Sequence, residues 1–223
     1  MSHDPAEARP KADGVPRLSR TLGRSLQASV EIVVSPLDAL GALRRTTAWV
    51  PLLLIALLRT AWTFVAFSPS HAPAKVLLSL LVQVIFTGVV YLIVTLAIAA
   101  VLHLGGARFR FGELLRAVLQ VGFLYEFVRF GLAVAGRASG ASELTPSDQY
   151  FTNLGWMVPS SESLPLHHVL SMLDILVAYC AYRLVQGLEI VIEGMSRSKL
   201  ATSLAVCWLA YALITTSIKV YVS

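Results

Sequence analysis

Residues 76–102 form an unbroken apolar run that contains no Asp, Glu, Lys or Arg. Crossing the hydrocarbon core of a bilayer takes roughly 20 apolar residues in a helix, so this run is long enough to span with some tilt. A soluble fold would have to bury such a helix on every side. The rest of the chain gives it little to be buried by, because four further apolar runs follow the same pattern at about 48–67, 114–135, 169–192 and 200–222.

Composition decides between a large soluble core and lipid. The chain is 56% hydrophobic and only 14% charged, with a mean hydropathy of +0.70, whereas soluble domains average about 45–50% apolar and about 25% charged. Lipid accepts that apolar surface, and helices satisfy their own backbone polar groups within it. The expected fold class is therefore all-α: a polytopic membrane protein of five transmembrane helices. Pro51 falls in the first turn of the first span, where it disturbs little. The third run has the weakest hydropathy, because it carries Arg116, Glu126 and Arg129.

Orientation follows from the basic residues. Seven Lys/Arg precede the first span; Arg108, Arg110, Arg116, Arg197 and Lys199 flank the even-numbered loops, and only Lys75, Arg137 and Lys219 fall on the other side. Twelve against three places the N-terminus in the cytoplasm and the C-terminus outside, as five spans require. The expected location is a bacterial inner membrane, with the C-terminus in the periplasm. The +5 net charge sits at span edges, facing anionic head groups, and is not arranged as a nucleic-acid patch.

Three segments lie ahead of the first span or between spans. Residues 1–16 are polar and proline-bearing, which predicts a disordered cytoplasmic tail, and no secretory signal peptide is legible in the opening residues. Within 17–46, Leu18, Leu22, Leu26, Val30 and Val33 recur at helical spacing with Arg17, Arg20 and Arg24 opposite them. That pattern predicts an amphipathic helix in the membrane interface or one that packs on the membrane domain. Ser35-Pro36-Leu37-Asp38 predicts a new helix, with Ser35 capping and Pro36 in the first turn, running to Arg44 and Arg45 at the membrane surface. The five-span domain occupies 47–223. Its long loop at 136–167 is acidic and should face the exterior.

Charges inside apolar runs are expensive, about 2.5–3.5 kcal/mol each on insertion scales, so they turn inward and pair. At about 1.5 Å per residue, Arg59 and Glu126 lie near mid-depth, Arg129 one turn farther out, and Asp174 about six residues into the fourth run. The expected site is an intramembrane polar cluster of Arg59, Glu126, Arg129 and Asp174 joining the first, third and fourth spans. It serves either to fix helix register or to handle a substrate, proton or head group. Arg183 lies nearer the inner face and can snorkel. Arg17, Arg20, Arg24, Arg44, Arg45, Arg108 and Arg110 are candidate lipid head-group contacts.

Catalytic signatures are missing. The chain has no GxxxxGK[ST], GxGxxG, HExxH, GxSxG or CxxC pattern. His168 and Asp174 share no helix face and have no further clustered ligands, so no metal or cofactor is expected. Ser35, Ser163 and Ser171 have no base partner in sequence. Cys180 and Cys207 lie inside apolar runs and read as small hydrophobes. Gly122, Gly131, Ala133, Ala135 and Gly136 favour close helix contact, within the chain or between two copies.

A resemblance rests on several short stretches in order: Val34-Ser35-Pro36-Leu37-Asp38-Ala39-Leu40, Trp49-Val50-Pro51-Leu52-Leu53, Leu102-His103-Leu104-Gly105-Gly106, Leu173-Asp174-Ile175-Leu176 with Leu184 to Leu188, and Gly194-Met195-Ser196-Arg197-Ser198-Lys199-Leu200-Ala201. Over about 34–222 the chain resembles the bacterial branch of the Yip (Ypt-interacting) family of five-span membrane proteins. The resemblance implies a cytoplasmic N-terminus and no enzymatic activity. Eukaryotic members bind prenylated Rab GTPases, but the N-terminal arm lacks an evident version of their GTPase-associated motif, so Rab binding is not carried over. The expected function is that of a membrane scaffold or accessory protein, acting through lipids and a protein partner in membrane organisation or trafficking. A small transporter or channel component using the charged cluster is the alternative.

Overall fold

The structure, a computed structural model, describes residues 17–42, 46–67, 73–138, 166–167, 170 and 174–222. Seven named helices lie among them: α1 (Arg17–Val34), α2 (Pro36–Gly41), α3 (Trp49–Phe67), α4 (Pro73–Leu104), α5 (Phe111–Ala138), α6 (Ile175–Val191) and α7 (Arg197–Val222). No strand occurs among the described residues, and the chain is all-α as expected. Residues 1–16, Arg44, Arg45 and 139–165, where the tail, two head-group contacts and most of the acidic loop were placed, lie outside the described residues.

Within α4, Val76–Leu104 is long and apolar enough to cross a membrane, while Trp49–Trp62 of α3 is a shorter apolar stretch. The helix with the weakest hydropathy among the apolar runs, α5, is the central one. It packs against α1, α3, α4 and α6, and every residue from 117 to 124 is buried. Its environment is protein, which is why it tolerates Gln120 and Glu126. By contrast α4 exposes Leu77, Leu81, Ile85, Phe86, Val89 and Ile93.

Two boundaries differ from the sequence reading. The second helix stops at Gly41, short of Arg45, with Ala42 as its C-cap. Pro36 opens it and Asp38 stands in its first turn, but the Ser35 hydroxyl makes no capping bond; the Ser35 carbonyl instead accepts from the N–H groups of Asp38 and Ala39. In the fourth run Leu170 is helical, but the helix that continues to Val191 starts at Ile175. Asp174 is the reason: its backbone is extended (φ −110, ψ 125), and its carboxylate accepts the Leu176 N–H at 2.7 Å.

Helix α1 both packs on the bundle and exposes an apolar face. Ser25, Ala28, Ser29 and Ile32 are buried, whereas Leu22, Leu26, Val30 and Val34 are exposed, Val34 at 80%. Small side chains let α1 lie close to α5, and its hydroxyls join a polar seam there. The Ser25 hydroxyl accepts the Thr47 N–H at 2.8 Å, Gln120 Nε2 reaches the Ser29 hydroxyl at 3.4 Å, and Arg116 Nη1 donates to the Thr46 carbonyl at 2.9 Å. Helix α2 wedges in beside it, with Leu40 seated over Gly187 of α6; a Cβ on that glycine would come 2.9 Å from Leu40 Cδ2.

Candidate functional site: an arginine–glutamate cluster at the bundle centre

The geometry begins on α5. Glu126 is only 3% exposed, and a carboxylate so buried must be paired and hydrogen-bonded or lose its charge. Arg59 of α3 supplies the pairing: both its Nε, at 2.8 Å, and its Nη2 donate to Glu126 Oε1. Arg129, one turn along α5, brings Nη1 to 3.8 Å from Glu126 Oε2, as the i, i+3 spacing allows.

The third helix at the site is α4. Thr87, fully buried, lies 3.4 Å from Arg59 Nη1, and the Tyr91 ring stands 5.9 Å from the Arg59 guanidinium carbon. Tyr91 fits because α5 has Gly122 opposite it, where a Cβ would collide with the ring. The sequence reading missed Thr87 and Tyr91 because it weighed charges only. A signal was available: Gln83, Thr87, Tyr91 and Thr95 recur every fourth residue in an otherwise apolar run, which marks one face of a helix.

The structure thus brings Arg59, Glu126 and Arg129 together, on α3 and α5, with α4 completing the set. Asp174 has a different place. It caps α6, and the described contacts give it the Leu176 amide rather than an arginine. A hydropathy window runs through that position without noticing that an Asp before an apolar helix is a capping residue. Of the proposed head-group contacts, Arg24, Arg108 and Arg110 are exposed, and Arg110 lies 4.0 Å from Glu113. Arg17 and Arg20 fall in the first turns of α1.

A second polar feature lies at one end of the bundle. The loop after α4 and the loop after α6 meet through paired backbone hydrogen bonds, Arg108 N–H to the Glu193 carbonyl (3.1 Å) and Glu193 N–H to the Arg108 carbonyl (2.9 Å). Gly106 (φ +80) ends α4 in the left-handed conformation, with the N–H groups of Gly106 and Ala107 closing on the carbonyls of His103 and Leu102. Gly194 (φ +87) turns the other loop. Beside this contact is a cavity of about 420 Å³ that includes Arg108, Arg110, Glu113 and Glu193 in its lining.

Chemically, the central cluster can hold three helices in register and keep charge at the centre of an apolar bundle. Its described residues present no nucleophile with an adjacent base. No family model, curated protein or solved structure matches the chain.

Proposed function

We propose that the chain is a five-span integral membrane protein of Yip-like type, with α3 to α7 as the spans, that acts as a scaffold or accessory protein through lipid and protein contacts. The carrying observation is the inverted polarity of the bundle. Glu126, Gln120, Thr87 and Thr95 are buried, while Leu77, Leu81, Ile85, Leu209, Leu213 and Ile214 are exposed. Water would favour the opposite arrangement, and lipid favours this one.

Further support comes from α1, which docks by Ser25, Ala28, Ser29 and Ile32 and turns Leu22 and Leu26 away from the protein, as an interfacial helix would. The charge balance of the loops favours a cytoplasmic N-terminus, in a bacterial inner membrane. The family reading draws on two of the resembling stretches being in contact: a Cβ on Gly105 would lie 3.0 Å from Met195 Cε. The scaffold reading is preferred to a transporter because opposite charges face each other in the cluster, with Arg59 and Arg129 turned to the same carboxylate.

Topology reporters at both termini and in the 139–165 segment test the membrane reading. Cytoplasmic signal from the N-terminus and periplasmic signal from the segment and the C-terminus are expected. Both termini on one side would rule out five spans. Crosslinking in native membranes followed by mass spectrometry tests the scaffold role, and recovery of no reproducible protein partner would count against it.

A further inference from the structure

We infer that the crevice between α6 and α7 holds an acyl chain of one anionic phospholipid, with its phosphate between Arg183 and Arg197 beside Tyr182. The inference rests on the membrane reading proposed above and assigns it a specific lipid site.

The crevice has a volume of about 850 Å³, within the roughly 300–1,000 Å³ range of ligand sites. Small side chains widen it: Ala178 and Ala181 from α6 face Ala201 and Ala205 from α7, with Val185 and Trp208 along its walls. Those four alanines are exposed. No described helix covers the opening, and in a bilayer a lipid chain is the apolar occupant at hand.

Charge identifies the head group. Arg197 and Tyr182 line the crevice, as does Asp174 at the start of α6, and Arg183 stands next to Tyr182, beside the lining. The Arg197 guanidinium stands 5.2 Å from the Tyr182 ring centroid, and that of Arg183 stands 5.7 Å from the same ring. Arg197 has Glu189 at 3.9 Å. Among the described residues Arg183 has no carboxylate partner: it donates Nη1 to Gln186 at 2.8 Å and stacks on Tyr179 at 5.0 Å, and its buried Nε meets no acceptor there. A cation on a spanning helix whose described neighbours are rings and an amide calls for a counter-charge. A lipid phosphate supplies that charge and acceptor oxygens for both guanidinium groups. Gln186 Nε2 donates to the Tyr182 hydroxyl at 3.1 Å and steadies the ring that both guanidinium groups approach.

The test uses the full chain in nanodiscs of equal phosphatidylglycerol and phosphatidylcholine, extracted gently and weighed by native mass spectrometry. Two basic residues near head groups, each contributing a factor of about five, give a roughly twenty-five-fold preference for phosphatidylglycerol. R183Q/R197Q should abolish that preference, and A181W, which fills the crevice, should reduce retention of either lipid. Equal retention of both lipids by the wild type, or an unchanged preference in R183Q/R197Q, overturns the assignment. A crosslinked dimer that A181W abolishes would give the crevice to a second copy and also overturn it. Carbonate extraction separates the two proposals. A chain released from membranes fails both, whereas one that stays in and shows no preference fails only the lipid site.

Discussion

Arg59 meets Glu126 across the α3–α5 interface with two donors on a single carboxylate oxygen, Nε at 2.8 Å and Nη2 beside it. The residues are far apart in the chain, and their pairing fixes the depth at which the two helices cross. Removing one member of a buried ion pair costs about 3–5 kcal/mol, while replacing both by apolar residues is often neutral. Arg59→Met and Glu126→Leu should each lower stability by about that amount, and the double variant, in which Arg129 still loses Glu126, should recover part of it. Unfolding in detergent micelles by denaturant titration reads this directly. A double variant as unstable as the worse single one would argue against a role in assembly.

Tyr91 and Gly122 form a second interlock, between α4 and α5. Overpacking a core by small increments costs about 1–3 kcal/mol. Gly122→Ala should fall in that range, and combining it with Tyr91→Leu should give less than the sum of the two. Additive losses in the double-mutant cycle would mean that the side chains do not meet.

Asp174 distinguishes a cap from a member of the charged cluster. A capping carboxylate replaced by alanine costs about 1 kcal/mol, and asparagine serves nearly as well. Asp174→Asn should therefore be close to wild type in thermal stability, with Asp174→Ala clearly lower. If Asn is as damaging as Ala, the negative charge matters and capping is not the whole role.

Gly106 and Gly194 hold left-handed turns on the two sides of the Arg108–Glu193 contact. An L side chain in that conformation costs about 1–2 kcal/mol. Gly106→Ala and Gly194→Ala should each raise hydrogen exchange at the Arg108 and Glu193 amides without unfolding the helices. Unchanged protection at both amides would contradict the contact.

Much of this architecture was legible in the sequence, where the physics was one-dimensional. Apolar length marked the helices now labelled α3, α4, α5 and α7, and the pairing of Arg59 with Glu126 followed from depth and opposite charge. What escaped was set by neighbours. Thr87 and Tyr91 carry no charge, so they stood out only by their four-residue recurrence. Asp174 looked like an intramembrane charge because hydropathy averages over a helix start. The leucine pattern of α1 pointed to an apolar face turned to the membrane interface or to the protein, and it said nothing of the inner face, where Ser25, Ala28, Ser29 and Ile32 are buried. Arg183 and Arg197 flank one ring from two helices, a relation that no spacing in the chain encodes.

The backbone pairing of Arg108 with Glu193 also has a mechanical meaning. It ties the turn of the α4–α5 hairpin to the turn of the α6–α7 hairpin, as a rivet joins the arms of tongs at one end. The helices that leave those turns, α5 and α6, also pack on each other, so the tie sets the end from which their packing is registered.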